Sequence, residues 1–303
     1  MTSTVELRLI KSIEGVEHFV ELQRLVWGSD PLDVVPNHVT VTVLKNGGAL
    51  LGAYAEDGPS ATGGMVGAAF WWLGVGSTAD ASGIPGPKLK ICSHMAGVLP
   101  EWQGRRIGLL LKLKQRELVL EQGLTDWVTW TYDPLQRVNA VLNLHRLGAT
   151  CNSYFRNVYG TMHDALNAGS PSDRFQVDWY LNSERVRRAA AEKPDLSGGP
   201  RTVAPRDSSP DWHVLPTTQG RHGLLWPVEM EPPLDGAPLA VPIPDDINLV
   251  RRMDRELGLA WRLYTRTVFE AAFAAGYTTV DCIYLANKGW HYLLVANLQE
   301  SAE

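Results

Sequence analysis

The chain has 303 residues, 45% hydrophobic and 20% charged, enough for a sizeable core in one large domain or two ordinary ones. Its net charge of -5 argues against a general nucleic-acid binder, which needs a basic footprint, and leaves room for a local basic patch. No apolar run approaches the ~20 residues that span a bilayer, and the start lacks the basic and apolar regions of a secretion signal.

Cys92, Cys151 and Cys282 are scattered without CxxC spacing, so neither a zinc site nor a disulfide framework is indicated. These features set the expectation of a cytoplasmic protein with no metal, membrane or nucleic-acid partner.

In chain order, residues 6–10 read as a short strand. Val16, Phe19, Leu22 and Val26 then recur at helical spacing, and Trp27-Gly28 closes that helix. Residues 38–44 are ambiguous: the Val-Thr alternation suggests a strand, but the flanks do not settle it. Gly47-Gly48 and Gly63-Gly64 precede apolar runs over 49–54 and 65–73, which pair as an antiparallel hairpin. Residues 77–86 read as a small-residue loop and 89–99 as a further strand, ended by Pro100. Residues 107–122 form a helix that stops at Gly123, and its first turns are apolar nearly all round.

Residues 126–132 form an aromatic-rich strand, 136–147 a helix closed by Gly148, and 154–159 and 175–181 two more strands. That order is α+β, a mixed and mostly antiparallel sheet with flanking helices, and not the alternation of a doubly wound sheet. Residues 194–211, rich in Pro, Ser and Gly, divide a domain over 1–193 from a smaller unit over 212–303. That unit reads as a strand over 238–243, one amphipathic helix from Ile247 to Ala275, and strands over 278–285 and 291–298. It is expected to serve packing or dimerisation, which allows a homodimer. A substrate lid is the functional alternative.

The residues richest in chemistry lie between Val98 and Gly108. A strand ends, the chain turns through Gln103-Gly104-Arg105-Arg106, and a helix begins at Ile107. Backbone N–H groups at a helix start are unpaired and carry partial positive charge, so they suit a phosphate. Gly104 and Gly108 let backbone approach such a group closely. An ordinary strand–turn–helix with a basic turn is the plainer alternative.

In this stretch the sequence resembles the GNAT acyltransferase superfamily, whose phosphate-binding signature is Gln/Arg-x-x-Gly-x-Gly/Ala preceded by Val-x-Pro and an aromatic. Val98, Pro100, Trp102, Gln103, Ile107 and Gly108 stand in register. The chain departs from the pattern at Arg106, where the signature has Gly; an ordinary backbone angle is expected there, with added charge near a pyrophosphate. The resemblance covers residues 6–182.

The resemblance implies an acyl-CoA co-substrate, acetyl-CoA or another acyl-CoA. Its pyrophosphate would be held by Gln103, Gly104, Arg105, Arg106, Ile107 and Gly108. Its pantetheine arm and thioester carbonyl would lie along Ala96, Gly97 and Val98, with Asn139 a further cofactor contact.

A second match, Ala140 to Gly148, departs from the family pattern at Arg137, Asn143 and Leu144. Leu144 stands where many members carry the tyrosine that protonates the departing thiolate, so another group or solvent must supply that proton. Residues 130–134, 139–143 and 154–160 resemble a branch of GNAT proteins that acylates small amines or amino acids, some with succinyl donors. The acceptor implied is a small-molecule amine.

A free α-amino group has a pKa of about 8, so its base need not be strong. His94 lies four residues before Val98 on the same strand and is expected to share its face. It is the candidate base, against a half-buried packed histidine. Tyr154 and Tyr159, with Tyr132, are candidates for the acid. Arg156 with Asn157, or Asp173 with Arg174, could hold a substrate carboxylate, although an ion pair is the plainer reading of Asp173-Arg174. Cys92 has no neighbouring base and reads as a packed thiol. A non-catalytic CoA-binding sensor is the competing function, favoured by the missing tyrosine, and a scaffold that uses the C-terminal unit as an interface is the third.

Overall fold

The computed structural model of the chain describes residues 4–28, 34–79, 85–160, 171–192 and 212–298. Its contacts form two units, one built from residues up to Trp130 and the other from Thr131 onward. Residues 131–192, which the sequence division joins to the N-terminal part, therefore group with the C-terminal elements. The segment 194–211 lies outside the described residues.

The first unit opens with β1 (Val5–Leu9), α1 (Ile13–Trp27), α2 (Asn37–Lys45) and β2 (Ala49–Ala55), followed by β3 (Met65–Ala79) and β4 (Pro85–Val98). After α3 (Ile107–Gln122), β5 (Trp127–Tyr132) begins. The first four strands pair antiparallel in chain order. β4 and β5 pair in parallel only through Ile91–Val128 and Cys92–Thr129. β3 and β4 stay in register out to Ala79 and Pro85, so part of the expected 77–86 loop is strand.

The ambiguous residues 38–44 fall in α2. Thr40 and Thr42 donate their hydroxyls to the carbonyls of Pro36 and His38, four residues back, so the Val-Thr alternation is absorbed into helical bonding.

α1 and α3 cover opposite faces of this sheet. Phe19 of α1 meets Phe70 of β3. On the other face, Lys112 and Gln115 of α3 bond Ser93 of β4. A Cβ built on Gly67 would meet Val98 and Ile107 on that same face.

The second unit holds α4 (Arg137–Ala140), which runs on as a π-helix (Val141–Arg146), then β6 (Thr150–Phe155), β7 (Arg174–Tyr180) and α5 (Glu184–Ala191). It continues with β8 (His213–Val214), β9 (Thr217–Gln219), β10 (Leu225–Pro227) and β11 (Leu239–Pro242), then α6 (Ile247–Met253), α7 (Arg255–Ala274), β12 (Tyr277–Leu285) and β13 (Gly289–Ala296). β7, β6, β12, β13 and β11 pair antiparallel in that order, and β8 adds in parallel; β9 and β10 form a separate ribbon.

The single helix expected from 247 to 275 is two helices. Asp254 leaves the helical region at φ −152° and accepts the N–H of Leu257, starting α7 with a new cap. β6 ends at Phe155, earlier than expected, and Asn157 is left-handed at φ 46°. Phe175 of β7, Phe269 of α7 and Tyr292 of β13 pack edge to face at the centre of this unit.

Candidate active site

The turn after β4 is held from several sides. Leu99 N–H donates to Val66 O, and Pro100–Trp102 make one 3-10 turn over the buried Trp102 ring. Arg105 stacks its guanidinium 4.3 Å from that ring and donates to Glu101 O. The carboxamide of Gln103 donates back to Val98 O at 3.1 Å. Gly104 stands at φ 77° and Arg106 at φ 63°.

The expectation of an ordinary angle at Arg106 is corrected. The chain enters α3 through a left-handed residue, a conformation that glycine adopts without strain. A side-chain-bearing residue pays about 1–2 kcal/mol to stand there.

The helix that follows has no side-chain cap at its N-terminus. Ser12, Ser183, Asp246 and Asp254 cap α1, α5, α6 and α7 with side-chain oxygens. Arg106 offers α3 no side-chain acceptor, and no acidic residue stands in the first turn. The start of α3 thus keeps unpaired N–H groups beside two arginines, as an anionic ligand requires.

β4 carries a bulge at His94: Phe70 pairs with Met95, and Trp71 with Ser93. The extra residue reverses the alternation and corrects the shared face expected for His94 and Val98. Ser93 and Val98 lie on the α3 face. His94 packs against Trp72 at 5.0 Å and Phe70 at 6.2 Å between ring centres, on the α1 face. Gly97 shares the α1 face, where a Cβ would come within 2.5 Å of the Trp27 ring. His94 is exposed, yet the groups around it desolvate its imidazolium and lower its pKa below the ordinary histidine value.

Sequence reasoning missed Lys112. It is buried on α3, with Nζ 3.0 Å from Ser93 Oγ, 2.7 Å from Gln115 Oε1 and 3.6 Å from the centre of the Trp130 ring. Ser93 and Trp130 are the first residues of β4 and β5 beyond the last parallel pair, so the amine sits where the strands part. Burial pushes its pKa well below the ordinary lysine value. The available signal was a lysine between Leu111 and Gln115 on the helix face that also buries Ile107 and Val119.

The remaining candidates belong to the second unit. Tyr154 donates its hydroxyl to Asp173, and burial raises its pKa. Tyr159 is exposed, with its hydroxyl 3.1 Å from Thr131 Oγ1. Tyr132 is buried against Tyr292, whose hydroxyl donates to Pro134 O. Asn139 is exposed on α4, and Leu144 is fully buried.

Arg156 forks onto Glu270, and Arg266 forks onto Asp173 through two bonds of 2.9 Å. Arg174 lies over the Tyr159 ring. The Cys92 thiol is pushed up by burial, which suits a packed group. Among the described residues, no group of three His, Cys, Asp or Glu could hold a metal, and no helix is long and apolar enough to cross a membrane.

No family model and no curated protein matches the sequence. Solved structures do match. The chain is similar in fold to several solved proteins. They include NAA60 of Arabidopsis thaliana with a bisubstrate analogue, at 14% identity and TM-score 0.46, over 58% of this chain and 98% of that one. The ribosomal-protein-S18-alanine N-acetyltransferase of Escherichia coli matches at 10% identity and TM-score 0.43, over 59% and 94%. A GNAT-family acetyltransferase of Streptococcus pneumoniae matches at 10% identity and TM-score 0.40, over 58% and 98%.

Proposed function

We propose that the protein transfers an acyl group, acetyl or succinyl, from a coenzyme A thioester to the primary amine of a small molecule. The observation that carries this reading is the start of α3. A helix with no side-chain cap at its N-terminus follows two left-handed residues, in the stretch that resembles the GNAT phosphate signature. N–H groups from Gly104 to Gly108, with Arg105 and Arg106, would neutralise the pyrophosphate. The backbone of Ala96, Gly97 and Val98 would align the pantetheine arm.

His94 is the base of this reading. Its lowered pKa leaves the imidazole neutral at pH 7, able to accept the proton that the amine loses on attack. The N–H groups facing the thioester oxygen would stabilise the charge that develops there.

Acetyl-, succinyl- and longer acyl-CoA thioesters incubated with an amine library, with products read by mass spectrometry, test the proposal. Acylated amine is the expected product. CoA binding without transfer to any amine would favour the second reading, a CoA-binding sensor. Leu144, buried at the position of the family's acid, supports that alternative.

A further inference from the structure

The transferase reading leaves one chemical role empty. When the amine attacks the thioester carbonyl, the C–S bond breaks and the electron pair leaves on sulfur as a thiolate. A thiolate leaves faster if a proton reaches it as the bond breaks. Leu144 has no proton to give, and the hydroxyl of Tyr154 is committed to Asp173. Tyr292 donates its own proton to Pro134 O, which leaves Tyr132 as the donor between the two rings.

We propose that Lys112 is the general acid that protonates the departing thiolate. This rests on the acyl-CoA reading above. The amine lies where β4 and β5 separate, against Ser93 on one strand and Trp130 on the other. A thioester laid along β4 from Val98 runs toward that point.

Gln115 fixes the direction of the amine by accepting from it at 2.7 Å and by bonding Ser93 as well. Burial loosens the ammonium's hold on its proton and brings its acidity toward that of the thiol. In the step itself the ammonium N–H bond breaks and an S–H bond forms. Lys112 is left as the neutral amine, which recovers through solvent the proton that His94 takes from the attacking amine. No oxidant, metal or further reactant is needed.

Replacing the leaving atom tests the role. A selenolate is a far weaker base than a thiolate and leaves without a proton. The probes are acetyl-CoA and acetyl-selenocoenzyme A, with an acceptor amine found by the screen above. Lys112→Met and Lys112→Gln should lower kcat with acetyl-CoA about 10²-fold, the usual scale for losing a general acid. Both should keep most of their rate with the selenium donor, and both should bind CoA as the parent does.

Equal losses with the two donors, in a folded variant that binds CoA, would overturn the proposal. Should neither variant fold, the parent decides. Similar rates with the two donors support an enzymatic acid, and a rate about 10²-fold higher with selenium rules one out. A parent that binds acetyl-CoA yet releases no thiol with any amine overturns the transferase reading and this role with it.

Discussion

The hydroxyl of Tyr154 donates to Asp173 at 2.7 Å, while Arg266 grips both oxygens of the same carboxylate and the Asn157 N–H donates to it. A tyrosine so engaged is a structural donor. Tyr154→Phe should therefore leave kcat within about threefold. It should cost about 1.5–3 kcal/mol of stability, the scale of a hydrogen bond to a charged group. Urea unfolding beside steady-state rates would check both, and a large loss of kcat with unchanged stability would return Tyr154 to the chemistry.

Asp133 anchors α7 in the same unit. It accepts from Arg262 at 2.7 Å and lies 3.5 Å from Arg251, both buried. Burial alone would raise its pKa, but the two guanidiniums and the Leu135 N–H outweigh that and hold it below the usual aspartate value. A carboxyl group with a lowered folded pKa contributes stability above its unfolded value of about 3.9, and loses it as pH falls through the folded value. Asp133→Asn should cost about 3–5 kcal/mol at pH 7 by stranding buried positive charge. The gap from the parent should shrink as pH drops below 4. A gap that stays constant to pH 2 would contradict the linkage.

Arg106 holds a left-handed angle that glycine adopts without strain. Arg106→Gly should raise stability by up to about 1 kcal/mol, because relief of strain is partly offset by the greater freedom of unfolded glycine. The same change removes a charge from the start of α3, so CoA affinity should fall severalfold. Thermal unfolding and calorimetric titration should move in opposite directions. Loss of stability together with unchanged affinity would refute both parts.

Lys112 carries a cost of its own. An unfolded lysine stays protonated to about pH 10.4, whereas the folded one releases its proton at a lower pH because burial disfavours the ammonium. Between those two values the unfolded chain binds the extra proton, so stability rises with pH; below both, the penalty is complete and constant. Lys112→Met removes the penalty, and Ser93 and Gln115 can still bond each other. The variant should gain at least about 1 kcal/mol at neutral pH, roughly 2–4 °C in Tm. The gain should fade toward pH 10. A variant less stable than the parent at every pH would mean that the bonds of the amine outweigh its desolvation.

Much of the first unit was legible because its signals are local. Glycine pairs set off the apolar runs of β2 and β3, and Gly123 stops α3 with a left-handed cap. The turn at Gln103–Gly108 could be placed for the same reason. What escaped depends on partners distant in sequence or on single backbone angles. The bulge at His94 shows only in pairing with β3, and the ion pair of Asp133 with Arg262 joins residues 129 apart. Ile247 to Ala275 kept an unbroken amphipathic spacing, which hid the new cap at Asp254. Arg106 resembles any other arginine until its φ is known.

On the proposed reading, His94 is the residue on which the acceptor half of the reaction turns. The bulge sets it on the α1 face against Trp72 and Phe70, and desolvation there lowers its pKa. A base with a lowered pKa keeps its accepting form down to lower pH. The acidic limb of kcat/KM should therefore lie below 6.5, the ordinary histidine value. His94→Gln keeps a polar group of similar reach but cannot take a proton. It should lower kcat/KM about 10²-fold and abolish that limb. CoA affinity should survive, since the turn from Gln103 to Gly108 is untouched. Trp72→Leu, which removes the larger ring beside His94, should move the limb toward higher pH by admitting water around the imidazolium. A His94→Gln enzyme within threefold of the parent and with the same pH profile would show that the imidazole is only packed there. The amine would then lose its proton to solvent.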